Sequence, residues 1–429
     1  MAIPAPLARD PSGKSIGQAA ASGLWCLMDQ STISYRTDLD FIPVEDAGER
    51  LFLIRDPLGL VAEGAALPAV VATIMALFDG TRGEADVLAE LTRRQGGELF
   101  PAEDLRQLID ELAAAYILDT PAYRAAREAL VAEFAASPVR ESALAGRAYP
   151  DEPAECAAYL DQVLSGAEDL APSAAPKALV APHIDLEAGR QVYARAYGAL
   201  AGATPTRVVV LGVGHQLETL FAPTAKSFRT PLGEVRTDAA AVARLAAACP
   251  DLGPEAEFVH KSEHSVEFQA LLLSRLLGAE TFSLVPVLCG SLSGLPEYSR
   301  QAFRDAAGPF LEALAAIVAE PGTLVVAGVD FCHIGPKFGH EQSGRELEEP
   351  AAAHDRALLG HLAAGDAEAF WAESRRVKNA FHVCGFTALA TLLEVLPAGL
   401  GGRVLDHQVW HEGPTESAVG FAAAVFGRE

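Results

Sequence analysis

The chain has 429 residues, half of them hydrophobic and 21% charged, a length that points to two or three domains. Asp and Glu number 57 against 33 Lys and Arg, and the resulting charge of −24 repels phosphate backbones and anionic lipid. Nucleic acid and membrane surfaces are therefore not expected partners. Six scattered cysteines, none in a C-x-x-C pair, do not make a secreted disulfide framework. No long apolar stretch precedes Leu24-Trp25-Cys26-Leu27-Met28, so a cytoplasmic, reducing compartment is expected.

Residues 1–30, rich in Ala, Pro, Ser and Gly, read as an extension. Two strand-like runs at 39–44 and 51–54 flank a turn at Asp46-Ala47-Gly48-Glu49. Helical spacing follows in Leu67, Val70, Val71, Ile74 and Phe78, ending at Asp79-Gly80. Val87, Leu88 and Leu91 mark a second helix, and Leu105, Leu108, Ile109, Leu112 and Tyr116 a third that starts near Pro101. Residues 31–120 thus predict a small α+β, winged-helix-like domain. The Phe78-Asp79-Gly80-Thr81-Arg82 turn between its first two helices resembles the PqqD-like peptide-chaperone and peptide-recognition domains, which implies peptide binding. A DNA-binding winged helix is the competing reading, but the second helix offers only Arg93 and Arg94 against many acids. Thr120-Pro121 opens a further helix with Leu130, Val131 and Phe134, and residues 121–142 read as a helical linker.

From residue 143 onward, strands alternate with helices, which predicts an α/β sheet. Buried-strand candidates are 178–181, 207–212, 282–287 and 324–328, with helices at 239–248 and 266–277. Three of these strands run into ionisable residues: Pro182-His183-Ile184-Asp185, Gly214-His215, and Asp330-Phe331-Cys332-His333. Ligands of open α/β sheets bind beyond the carboxyl ends of strands, so His183, His215, Asp330 and His333 are expected at one edge. In Glu263-His264-Ser265-Val266-Glu267, His264 and Glu267 stand three apart and share a helical face. Cys384-Gly385 precedes the apolar run 386–396, where a helix N-terminus would lower the thiol pKa.

Imidazoles, a carboxylate and a thiolate together are the donors of a transition-metal site. Asp330 or Glu267 would then orient a ligand histidine through its other ring nitrogen. A single histidine at a strand end is more often structural; four at equivalent positions favour function. Cys332 reads as core packing. His354 and His361, in an Ala-rich helical stretch, read as solvated, and His260, His340, His382, His407 and His411 lack an obvious partner, although His382 lies close to Cys384.

Residues 143–427 resemble the Memo family, called AmmeMemoRadiSam system protein B in bacteria. The resemblance is carried by seven pieces in order. They are Ala145-Gly146-Arg147-Ala148-Tyr149-Pro150, Ala181-Pro182-His183, Gly212-Val213-Gly214-His215 and Thr230-Pro231-Leu232-Gly233 with Val235 and Asp238. Then come Glu263-His264-Ser265-Val266-Glu267-Phe268-Gln269, Asp330 with His333-Ile334-Gly335, and Cys384-Gly385. It implies a class III extradiol-dioxygenase-like fold, a mixed sheet flanked by helices over 143–429. It also implies metal ligation by His183, His215 and Cys384, with His264, Glu267, Asp330 and His333 lining the pocket. Three departures stand out: Ile184-Asp185 replaces the usual Gly-Tyr, Gln216 a second His, and Gly328-Val329 a Ser-Ser pair. They bear on substrate recognition more than on the metal. Asp185 is expected to cap the following helix.

These readings lead to a metal-dependent, redox-active protein holding Fe(II), or else Cu or Zn, with His264 or His333 as acid/base tuned by Glu267 or Asp330. A second reading is a peptide-binding or scaffold module that serves a radical SAM modification system. Its partners, implied by the family name, would be an AMMECR-type protein and a radical SAM enzyme. A third is a catechol-type extradiol dioxygenase, disfavoured because such enzymes use two His and one Glu on iron.

Overall fold

The computed structural model describes residues 32–46, 48–166 and 175–428. The expected extension at 1–30 lies outside the described residues. The chain divides into two compact units, Met1–Glu133 and Phe134–Glu429.

In the first unit, β1 (Asp40–Asp46) pairs antiparallel with β2 (Glu49–Arg55), and β3 (Ala66–Pro68) pairs antiparallel along the other side of β2. Three helices follow, α1 (Ala69–Met75), α2 (Glu84–Arg94) and α3 (Ala102–Ala114). The helix expected from Leu67 starts at Ala69 instead. Leu67 is drawn into β3 opposite Phe52, and extended Pro68 caps the helix. Leu67 is buried in either conformation, so spacing of apolar residues does not distinguish them. Val87 and Leu91 of α2, with Leu105, Leu108 and Leu112 of α3, form helical stripes packed on Ile54, Leu67, Val71 and Phe78. Buried Arg36 forks onto both Asp38 and Asp56, and Asp56 also accepts the backbone N–H groups of Leu58, Leu60 and Val61. The charge taken out of water is thereby fully hydrogen-bonded.

The division falls inside α4 (Pro121–Ala136), the helix that sequence marks as a linker. Beyond it come β4 (Val139–Arg140), α5 (Pro153–Val163), β5 (Ala175–Ala181), α6 (Arg190–Gly198), β6 (Arg207–Val213) and β7 (Phe221–Pro223). Next are β8 (Ser227–Thr230), β9 (Gly233–Val235), α7 (Ala239–Ala246), α8 (Pro254–Phe258), α9 (His264–Leu277), β10 (Ser283–Cys289) and α10 (Arg300–Ala319). The chain closes with β11 (Thr323–Gly328), β12 (Asp330–Ile334), α11 (Gly344–Ala363), α12 (Ala367–Val377), α13 (Phe386–Val395), β13 (Gly402–Glu412) and β14 (Ser417–Arg428).

An eight-stranded mixed sheet runs β12-β14-β5-β11-β6-β10-β7, with β13 paired to β14. Its centre, β5-β11-β6-β10, is parallel, and its flanks are antiparallel. Alternation along the central strands builds two cores. Ala178, Val180, Val209, Leu211, Val325 and Ala327 pack with α7, α10, α11, α12 and α13. Leu179, Ala181, Val208, Val210, Leu324 and Val326 pack with α5, α6 and α9. Burial on both faces is why these strands read as uninterrupted apolar runs. A smaller sheet, β4-β8-β9, stands apart. Among the described residues no helix is long and apolar enough to cross a membrane.

Candidate metal centre

β5 and β6 are parallel to β11 and end at the same edge of the sheet, which delivers His183 and His215 side by side. α9 brings His264. It lies close on the sheet because Gly212 and Gly328 have no side chain: a Cβ on Gly212 would sit 2.6 Å from Ser265 Oγ, and one on Gly328 2.7 Å from the Ser265 carbonyl. The three imidazole centroids are each 5.1 Å from the other two, with His215 and His264 stacked at 9°. Cys384 enters from the turn before α13, its Sγ 3.5 Å from His183 Nε2.

Each imidazole is oriented by a group behind it. His183 Nδ1 faces the Gly328 carbonyl at 3.0 Å, which turns Nε2 towards Cys384. His215 Nδ1 lies 2.9 Å from Glu263 Oε2, and His264 Nδ1 3.2 Å from Glu263 Oε1. The nitrogens of His183 and His215 and the sulfur of Cys384 come within 4.8 Å of one another, as do ligand atoms of His215, Glu263 and His264. His183 is 2% exposed, whereas the His215 side chain is 38% exposed, so the cluster is deep on one side and open on the other.

Burial, aided by the neighbouring imidazoles, pushes His183 well below the ordinary imidazole range, and burial also lowers His264. For His215 burial works the same way, but Glu263 and the Cys384 hydrogen bond outweigh it and hold His215 well above that range. Against its own burial, Glu263 is held well below the carboxylate range by His215 and His264. Burial lifts Asp330 to about 7, although its Oδ1 accepts the His183 backbone N–H at 2.9 Å.

Several sequence expectations are corrected here. The Cys384 thiol is raised rather than lowered, because burial outweighs the start of α13 and the bond from His215. Glu267 acts on His264 only through its charge, which raises the ring against burial, because its oxygens are bonded to Arg140, Tyr149 and the backbone N–H groups of Ala143 and Leu144. Neither Asp330 nor Glu267 orients a candidate ligand through its second nitrogen; the Gly328 carbonyl and Glu263 do. Glu263 is the residue sequence reasoning overlooked, although it opens the Glu-His-Ser motif. His333 has its Nδ1 on the Phe331 carbonyl and its ring edge-on to Phe338 at 4.9 Å, and burial, aided by His215, lowers it to about 4.

The remaining residues take structural places. Asp185 does not cap α6, whose N-cap is Gly189 without a side-chain bond; it accepts the N–H groups of Glu187 and Ala188 in the turn before that helix. His354 is buried rather than solvated, 2.8 Å from Glu373 on α12. His260 faces the Ala222 carbonyl, His340 those of Gly335 and Ala380, His407 pairs with Asp355, and His411 with Glu348. His382 is exposed and rests on His340, and Cys332 is fully buried.

The 263–269 motif works as a set of stitches. Ser265 Oγ bonds both the N–H and the carbonyl of Val213, at the end of β6. Gln269 donates to the Pro182 carbonyl beside His183, and Tyr197 donates to Gln269. Glu267 ties α9 to Tyr149 in the Ala-Gly-Arg-Ala-Tyr-Pro signature. One helix thus fixes both histidine-bearing loops.

Fold and site together define a three-layer α/β protein whose sheet edge gathers two histidines and a cysteine, with a third histidine and a shared glutamate behind them. Residues 140–425 match the family described as Memo-like protein, and the chain belongs to that family. It is 29% identical to a MEMO1 family protein of Aquifex aeolicus, over 90% of this chain and 98% of that one. That share exceeds residues 140–429, so the likeness continues into the N-terminal unit. A MEMO1 family protein of Thermus thermophilus is 30% identical over 79% of this chain and 98% of its own length. Protein MEMO1 of Danio rerio is 27% identical over 60% of this chain and 84% of that protein.

Proposed function

We propose that the Memo-like unit is a metal-dependent redox protein that holds a transition metal ion, Fe(II) ahead of Cu or Zn, on His183, His215 and Cys384. The carrying observation is the spacing of the donors. Two ligands at 2.05 Å (nitrogen) and 2.3 Å (sulfur) from a tetrahedral ion lie about 3.6 Å apart, and His183 Nε2 and Cys384 Sγ are 3.5 Å apart. Chemistry of the donor set agrees, since Nδ1 of both histidines is engaged elsewhere and Nε2 remains for the ion.

Once bound, the ion would supply Lewis-acid or electron-transfer chemistry at its open positions. The surrounding residues manage protons and geometry. His264 is held neutral, and with Nδ1 turned to Glu263 it accepts a proton at Nε2. Asp330, raised to about 7, holds or releases a proton at Oδ2, which lies 3.6 Å from His183 Nε2. Glu263 fixes two rings at once, so neither histidine reorients as charge changes.

The test is metal analysis of the anaerobically purified chain beside a His183→Ala, His215→Ala double variant. Stoichiometric metal in the parent and its loss in the variant is expected; equal content in both removes the proposal. Oxygen uptake with catechols separates an extradiol dioxygenase from other redox chemistry. A second reading concerns the N-terminal unit, where β1 pairs only with β2 among the described residues and offers its other edge to a peptide strand. Co-purification of an AMMECR-type protein or a radical SAM enzyme that depends on residues 38–120 would support it.

A further inference from the structure

A cleft of about 720 Å³ opens beside His215 and Cys384, a size suited to a small organic ligand. Although Asp and Glu outnumber Lys and Arg by 57 to 33, no carboxylate lines it among the described residues, whereas Arg375 and Lys378 do. A neighbouring cavity of about 300 Å³ carries Glu218 and Asp251, so carboxylate-free walls are not the rule on this surface. Both cations are exposed and make no ion pair among the described residues. Arg376, next along α12, is by contrast committed to Glu373 at 2.6 Å.

The turn that presents these groups is held in a costly backbone shape. Five non-glycine residues have positive φ among the described ones, and three of them, Lys378, Asn379 and His382, fall between α12 and Cys384. The shape is fixed by Lys378 N–H on the Arg375 carbonyl, Asn379 N–H on Ser374, and Asn379 Oδ1 accepting from Val383 N–H. That last bond leaves the Asn379 amide group as a further donor. Such clustering of backbone outliers marks functional sites. Leu292, Leu295, Val383 and Phe386 supply apolar lining to the same cleft.

We propose that this cleft binds an organic anion, a carboxylate or phosphate ester with an apolar body, whose charged end is held by Arg375 and Lys378. The anion is drawn to two unpaired cations, one of them a fork suited to two oxygens, and meets no like charge from the walls. Its apolar body lies along Leu292, Leu295 and Phe386, and its far end reaches His215 and Cys384. The inference names the substrate class of the metal centre and rests on that reading only for which end reacts.

Calorimetric titration of the metal-free full-length chain keeps the two questions separate. The probes are phenyl phosphate, phenylacetate and neutral phenylacetamide. At least one anion is expected to bind about tenfold or more tightly than the amide, and to weaken with added salt. An Arg375→Gln, Lys378→Gln double variant, altered only at exposed positions, should melt like the parent and lose about tenfold in anion affinity, with the amide unchanged. Whichever of phosphate or carboxylate binds tighter identifies the headgroup. Equal affinity for anion and amide, full anion affinity in the double variant, or no binding by any probe overturns the proposal. Metal loss in the histidine double variant is scored independently: equal metal content in parent and variant, with anion binding as expected, would defeat the metal reading alone.

Discussion

Replacing Glu263 with glutamine removes one charge and reverses half of a hydrogen-bonding pattern without changing shape. Oε1 accepts the backbone N–H groups of His264 (2.9 Å) and Ser265 (3.0 Å), capping α9, while Oε2 accepts those of His215 N (3.2 Å) and Nδ1 (2.9 Å). The glutamine oxygen can take over the cap. Its amide nitrogen, being a donor, then faces the two His215 donors. Two charge-assisted bonds are lost at about 1.5–3 kcal/mol each, so the variant should be about 3–6 kcal/mol less stable. A domain near the middle of the usual range of about 5–15 kcal/mol stays folded after such a loss. With its Nδ1 partner gone, His215 should also bind metal about 10–100-fold more weakly, and its raised pKa should fall. Urea unfolding, chelator competition and histidine NMR titration read the three effects. A loss of stability below about 1 kcal/mol, together with parental metal affinity, would refute the assignment of Glu263 as the organiser of the centre.

Other perturbations test other parts of the scaffold. A Cβ at Gly385 would lie 2.5 Å from Val329 Cβ and 2.8 Å from the Asp330 carbonyl, so Gly385→Ala should cost about 1–3 kcal/mol and lower metal content by displacing Cys384; thermal melts and metal analysis check both. Arg140→Met strands the buried Glu267 carboxylate without its countercharge and should destabilise by about 3–5 kcal/mol in urea. His260 is 1% exposed, donates Nε2–H to the Ala222 carbonyl, and is lowered by burial from 6.5 to about 4. The unfolded chain therefore binds the extra proton between those values. The neutral ring's contribution is complete above 6.5 and falls as pH drops towards 4, by about 3 kcal/mol. Unfolding midpoints taken from pH 7.5 to 4 should show that loss, and His260→Gln should flatten the curve.

Much of the candidate site was legible in the chain. Continuous apolar runs fixed four central strands, because a strand buried on both faces has no polar side to display, and polar residues just after them named His183, His215 and Asp330. The Cys384-Gly385 pair before an apolar helix was readable in the same way. What those positions do to one another was not. Whether burial or a helix start governs the Cys384 thiol depends on the surrounding atoms, and the atoms favour burial. Glu263 and Glu267 are both acids of one motif, four apart, and their spacing does not say which faces the histidines. That was decided by Arg140 and Tyr149, 127 and 118 residues upstream, which claim Glu267 and leave Glu263 to cap α9 and hold two rings. The antiparallel flanks β12, β13 and β14 and the charge of the cleft likewise arise only on folding. Local sequence sets which residues are apolar and where helices and strands start; the electrostatics of a site come from residues far apart in the chain that packing makes neighbours.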